Sequence, residues 1–301
     1  MILARGMTEA GGGFMGIGPA RYVSDTEKAT SKWVQDLFDF FAGTSVGSID
    51  TGMYGCGFHG QDVLDLHHES GDAIFGKKNI RYTLTKCGPQ YDDSVILALL
   101  KEKCKDRTMA ETVKPTYLTA WDMRRKQLKV FGPADKDIPV WFAIRCSMAA
   151  TTYFSTPDGR HGDGGFCAND PLLVGFAGIV MDDSVEVSGG IKMLNLVTSG
   201  MNPEGPAVGN DWFVLTYLRQ IILKAITTGN SSDMEFIRKA INKFVQKLMQ
   251  DKQDRFRNFR VNPECKDFQL DETIHSREVE SLWATQFQQD KAELLPYLLG
   301  S

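Results

Sequence analysis

Nothing in this 301-residue chain approaches the ~18 consecutive apolar residues that a membrane-spanning helix needs. Neither sign of charge dominates: 34 Lys and Arg stand against 38 Asp and Glu, a formal net charge of −4. That balance argues against nucleic acid as the main partner and leaves room only for a local basic patch. The six cysteines, Cys56, Cys87, Cys104, Cys146, Cys167 and Cys265, form no CxxC pair and no even ladder of spacings. They read as reduced thiols of a cytoplasmic protein rather than as a disulfide framework. Residues 1–13 hold one arginine and no apolar h-region, so no secretory leader is expected. Histidine is scarce, with five in the chain. Internal repeats, low-complexity tracts and linkers are missing too. The remaining composition, 42% hydrophobic and 24% charged, suffices for a sizeable core in a single domain over 1–301.

Glycine is the opposite case, with 29 residues clustered at 11–18, 43–60, 159–165 and 188–209. Clusters that abut apolar runs mark turns where backbone approaches something closely. Strand character appears at Leu37 to Ala42, at Tyr117 to Trp121 and Leu128 to Phe131 around a charged turn, and at Ile191 to Val197. Helical patterns occupy 17–33, 46–57, 92–105 and 140–150. Such alternation predicts a three-layer α/β/α fold with a mostly parallel sheet over residues 1–209. The run before the first glycines makes a weak strand, because Arg5, Thr8 and Glu9 interrupt it. After Gly209 strands vanish. A buried helix from Trp212 to Ile226, an amphipathic one from Met234 to Leu248 and a last one over 277–295 make 210–301 a helical part.

Chemistry concentrates at the glycines. Gly43-Thr44-Ser45-Val46-Gly47 fits G-x-S-x-G, with a strand-like run before it and a helix-like run after it. That is the strand–elbow–helix setting in which Gly43 and Gly47 leave space for a sharp turn and Ser45 stands exposed at a helix N-terminus. A glycine-rich turn with a capping serine reads equally well from the pentapeptide alone. Gly11-Gly12-Gly13, with Gly16 just beyond, allows N–H groups to point inward as an oxyanion site requires; a flexible linker is the other reading. A phosphate loop lacks its Gly-Lys-Ser/Thr ending. Gly162-Asp163-Gly164-Gly165 sets a carboxylate between glycines, free to approach Ser45 or simply to form an Asp-Gly turn. A Ser-His-Asp order needs a late histidine, and His275 lies in a polar stretch. His67 and His68 diverge on a helix, so no metal is expected, while His161 would share a strand face with Asp163.

Taken together, these pieces resemble the patatin-like phospholipase family, bacterial branch, across most of the chain. Gly11-Gly12-Gly13-x-x-Gly16 with Pro19 resembles its glycine segment, and Phe40 to Gly47 its nucleophile strand and elbow. Pro139 to Phe154, Asp163-Gly164-Gly165, Ala168 to Pro171, Asn195 to Gly200 and Phe259 to Pro263 follow in the family's order. The resemblance implies a Ser45–Asp163 dyad, an oxyanion hole from the N–H groups of Gly12, Gly13 and Val46, and no cofactor. It implies cleavage of fatty-acyl esters of membrane phospholipids by a protein in peripheral contact with a membrane. A general carboxylesterase and an inactive or regulatory binding protein are the rival readings; a small-molecule activator and the oligomeric state are left unassigned. Two positions depart from the family pattern: Ala10 where it has Asp, and Met15 where it has Arg or Lys. Phe14, Met15, Trp33 and Phe58 read either as a greasy mouth or as core.

Overall fold

The segment that looks too polar for a strand, Ala4–Glu9, is β1 at the heart of the sheet. The structure, a computed structural model, describes residues 3–75, 78–79, 88–183, 185, 187–198, 242, 255–265, 268 and 271–300. The helices expected at Trp212 to Ile226 and Met234 to Leu248 lie outside the described residues. In chain order follow α1 (Ile17–Thr30), α2 (Val34–Leu37), β2 (Phe40–Gly43), α3 (Val46–Gly55), α4 (Gly60–Phe75) and α5 (Ser94–Cys104). Then come β3 (Thr116–Asp122), β4 (Gln127–Phe131), α6 (Val140–Ser147), β5 (His161–Asp163), α7 (Gly165–Ala168) and α8 (Leu172–Val180). The described chain ends with β6 (Ile191–Leu196), β7 (Phe256–Val261) and α9 (Ser276–Leu299), and 3₁₀ turns stand at Gly13–Gly16, Met109–Glu111 and Thr273–His275.

The sheet runs β4-β3-β2-β1-β6-β7. β3, β2, β1, β6 and β7 are mutually parallel, while β4 and β5 run antiparallel to β3. Alternation along the strands splits the core in two. Met7, Phe41 and Leu118 face α1, α3, α4 and α9 on one side; Phe40, Ala42 and Tyr117 face α8 on the other. This is a three-layer α/β/α arrangement.

Three expectations need correction. Two of the polar residues of β1 have partners that make them tolerable there: the Arg5 N–H donates to Asp39 at 2.8 Å and Thr8 Oγ1 donates to Asn195 at 2.9 Å, while the wholly buried Glu9 lies against Asp50. The strand expected from Leu37 begins at Phe40, because Val34–Leu37 closes a short helix whose Asp36 accepts the Trp33 N–H. Strands also do not vanish after Gly209. β7 pairs with β6 over all six residues, and its Arg260 reaches inward to Asp170 at 2.7 Å, so a sequence rich in arginine still forms the strand next to β6. The expected last helix is present as α9. It packs on α1 so closely that a Cβ on Gly18 would lie 2.2 Å from the Trp283 ring, and Tyr22 meets Trp283 and Phe287 edge-on.

Candidate active site

Ser45 has φ 55° and ψ −122°, a left-handed backbone for a residue with a Cβ. Such a residue stores about 1–3 kcal/mol and persists only where its surroundings dictate it. Here they do. A Cβ on Gly43 would lie 2.3 Å from the Gly47 carbonyl oxygen, and one on Gly47 2.3 Å from that of Glu9. The Ser45 carbonyl accepts both the N–H (2.9 Å) and the hydroxyl (2.5 Å) of Ser48, and its own N–H donates to Ser147 Oγ at 2.9 Å. α3 starts at Val46, so the hydroxyl stands at a helix N-terminus, as the pentapeptide suggests.

β3 explains how Asp163 arrives. Leu118 pairs with Gly43 of β2 on one side and Phe131 of β4 on the other. Two residues on, Ala120 still pairs with β4 but now has Asp163 of β5 across from it. β2 and β5 therefore lie end to end along one edge of β3, and the serine that follows β2 meets the aspartate that ends β5. Asp163 Oδ2 accepts the Ser45 hydroxyl at 2.8 Å, and Oδ1 accepts the Gly165 N–H at 2.7 Å. Burial pushes the Asp163 carboxyl up to about 6, against the lowering effect of those two hydrogen bonds. Gly164 is needed for packing, since its Cβ would fall 2.0 Å from Thr119 Oγ1; Gly162 is not, with Met123 no nearer than 3.8 Å.

The first glycine run lies against the same serine. A Cβ on Gly11 would sit 2.9 Å from Ser45 Cβ, one on Gly12 2.2 Å from Thr198 Oγ1, and one on Gly16 2.3 Å from Val46. Gly13 has φ +62°. The run is pinned by the Gly11 N–H donating to the Asn169 carbonyl at 3.1 Å and by Thr198 Oγ1 donating to the Gly11 carbonyl at 2.7 Å. Among the described residues, no acceptor takes the N–H of Gly12, Gly13 or Val46. Ala10 and Met15 are buried in the core.

Ser45 opens on a pocket walled by Phe14, Val46, Ile74, Ile96 and Phe154. Of the expected mouth residues, Phe14 lines it, whereas Met15, Trp33 and Phe58 do not; Trp33 stacks on His59 at 3.9 Å on the surface. His161 turns to Asp158 (2.7 Å) and Phe131, and His275 stacks on Phe268, so neither is bonded to Ser45 or Asp163. His67 and His68 do diverge: His67 pairs with Asp50 and His68 with Glu280. Among the described residues one trio, Cys146, Asp158 and His161, brings metal-ligand atoms within 4.8 Å. A cation there would have to displace the His161–Asp158 hydrogen bond and the proton of a thiol that burial pushes up.

Sequence reasoning missed Ser147, which anchors the elbow from 102 residues away, and Thr198, which pins the glycine run. It also missed Glu9, whose carbonyl accepts the Thr44 N–H at 3.1 Å beneath the elbow. Ser147 and Thr198 lie in stretches that resemble the family, Pro139 to Phe154 and Asn195 to Gly200, but nothing local marks the individual residues.

A family model described as Patatin-like phospholipase matches residues 10–175. Patatin-like protein 2 of Oryza sativa subsp. indica is 27% identical over 202 residues, covering 54% of this chain and 49% of that protein. The 85/88 kDa calcium-independent phospholipase A2 of Rattus norvegicus is 26% identical over 324 residues, covering 92% of this chain and 37% of that protein. The chain thus spans about half the length, or less, of these curated relatives. Among solved structures it is similar to VipD from Legionella pneumophila, with 10% identity and a TM-score of 0.42 over 96% of this chain and 67% of that one. The matched span is more than half of the chain and holds the glycine run, Ser45 and Asp163, so this protein belongs to the patatin-like phospholipase family.

Proposed function

We propose that the chain is a serine lipid acyl hydrolase of the phospholipase A type, acting on fatty-acyl esters of membrane phospholipids through Ser45 and Asp163. The observation that carries this reading is the 2.8 Å hydrogen bond between the two side chains, at a serine held in left-handed backbone beside an apolar pocket. Ser45 Oγ attacks the ester carbonyl carbon while its proton passes to Asp163 Oδ2. The carbonyl electron pair moves onto oxygen, where the free N–H groups of Gly12, Gly13 and Val46 receive it, each such donor being worth roughly 3 kcal/mol of barrier. Collapse expels the alcohol, which takes the proton from Asp163, and leaves an acyl-Ser45. Water then attacks the acyl carbon, again giving its proton to Asp163, and the fatty acid leaves as the Ser45 hydroxyl re-forms. An aspartate at about 6 is a stronger base than a free one yet still ionised at neutral pH.

No helix among the described residues is long and apolar enough to cross a membrane, so lipid would be met from the surface. Ile274, 86% exposed between the pocket residues Thr273 and Ser276, supports peripheral contact at the mouth. A cytoplasmic setting belongs to the same proposal; among the described residues Cys56, Cys104, Cys146, Cys167 and Cys265 are free thiols.

The test is fatty-acid release from phosphatidylcholine vesicles by the wild type and by Ser45→Ala. Removal of a nucleophile is expected to cost several orders of magnitude in rate. Equal turnover by the two proteins would overturn the role of Ser45. Turnover of short soluble esters without vesicle hydrolysis would point instead to a general carboxylesterase.

A further inference from the structure

α4 carries a glycine that the fold does not need. Gly71 lies in the interior of this 16-residue helix, where glycine is the least favourable residue after proline. Other helix glycines have a steric reason: a Cβ would lie 2.2 Å from Trp283 at Gly18, 2.6 Å from Ile144 at Gly52, and 2.7 Å from Tyr117 at Gly178. At Gly71 a Cβ would meet nothing within 4 Å, and the residue does not have a positive φ.

The space in front of Gly71 is the pocket that Ser45 opens on. One face of α4 lines that pocket with a gradient of polarity. His67 lies at the elbow end, its Cε1 3.2 Å from where a Gly16 Cβ would stand, and Ser70 and Gly71 follow one turn later. Ile74 and Phe75 come a further turn on, where Phe75 packs against Tyr91 and Phe154. From residue 67 to 75 the helix rises about 12 Å. An acyl chain esterified to Ser45 and lying in this pocket would have its carbonyl at the polar end and its tail toward the aromatic end, and would pass Gly71 on the way.

We infer that Gly71 is a specificity-determining residue: its missing side chain keeps the pocket open for the middle of a long acyl chain, so that any larger residue there shortens the chain the pocket accepts. This rests on the acyl-hydrolase reading of Ser45, and its test has an arm that needs no turnover.

Wild type, Gly71→Ala and Gly71→Leu are compared on octanoyl and palmitoyl esters. The palmitoyl-to-octanoyl ratio of kcat/KM is expected to fall stepwise, by at least about tenfold at leucine, the loss that denying burial to about two methylenes would bring. In parallel, octanoate and palmitate are titrated calorimetrically into the Ser45→Ala protein with and without Gly71→Leu, and the same drop is expected in relative palmitate affinity. Gly71→Ala is expected to melt at or above the wild-type temperature, since it improves helix propensity in open space. Unchanged ratios and unchanged palmitate binding in Gly71→Leu overturn the inference, as does a lowered melting temperature in Gly71→Ala, which would mean that packing requires the glycine. Absent turnover with the expected shift in palmitate binding overturns the catalytic reading alone.

Discussion

His67 Nε2 lies 2.7 Å from Asp50 Oδ1, tying an imidazole at the edge of the pocket to a carboxylate with no solvent exposure. Asp50 is also hydrogen-bonded to the buried carboxyl of Glu9, and no other group among the described residues serves that carboxyl. Burial, reinforced by the neighbouring Asp50, holds that Glu9 carboxyl well above the usual carboxylate range. A line of polar groups thus runs from the pocket wall to the base of the elbow through residues that no motif connects.

The pair is expected to be coupled. Removing one partner of a buried hydrogen bond leaves the other unsatisfied, at about 1–3 kcal/mol. Asp50→Ala and His67→Ala should each lower stability in denaturant titrations, and the double variant should cost about 1–3 kcal/mol less than their sum. Additivity to within about 0.5 kcal/mol would leave the contact without energetic weight.

Asp163→Asn should separate activity from stability. The folded carboxyl sits at about 6 against 3.8 for the ordinary group, so the folded chain holds this proton more tightly. The stability it contributes is complete below about 3.8 and is lost as pH rises through about 6. An asparagine stays neutral throughout, so above that window the variant should be more stable by up to about 3 kcal/mol, while losing several orders of magnitude in rate. Wild-type kcat/KM should rise along an acid limb near pH 6. His161→Gln should keep most activity, because its ring is engaged by Asp158 and Phe131. A folded His161→Gln as inactive as Asp163→Asn would replace the dyad with a histidine-assisted mechanism.

Ser147→Ala removes the acceptor of the Ser45 N–H at a fully buried site. The unpaired donor costs about 1–3 kcal/mol, and the loosened elbow should lower kcat more than it raises KM. A change confined to KM would place Ser147 in substrate binding instead.

Met15→Arg introduces a guanidinium into an apolar core position that is 7% exposed. Both melting temperature and kcat should fall, the loss of stability being at least about 2 kcal/mol. A rise in kcat at unchanged stability would show that a cation at this point reaches the oxyanion.

The legible parts of this molecule were those written in short stretches. The turn at Gly43 to Gly47 and the glycines at 11–16 announce themselves because steric demands of backbone on backbone act within a few residues. β1 and β7 hid because their polar side chains are matched by distant partners: Thr8 by Asn195, Arg260 by Asp170. Periodicity sees only whether a side chain is apolar, never whether a partner waits for it. Ser147 and Asp50 were invisible for the same reason. Asp163 was singled out through its glycine neighbours, of which Gly164 is cramped and Gly162 is not.

The end-to-end placement of β2 and β5 makes β3 a ruler. The gap between nucleophile and base is measured along β3 from Leu118 to Ala120, not along the 118 residues of chain that separate Ser45 from Asp163. A one-residue insertion between those two positions would push the aspartate about 3.3 Å along the edge and turn its side chain to the opposite face. Loops and helices in the long excursion can lengthen or drift without disturbing the chemistry, whereas a single slip in one strand extinguishes it.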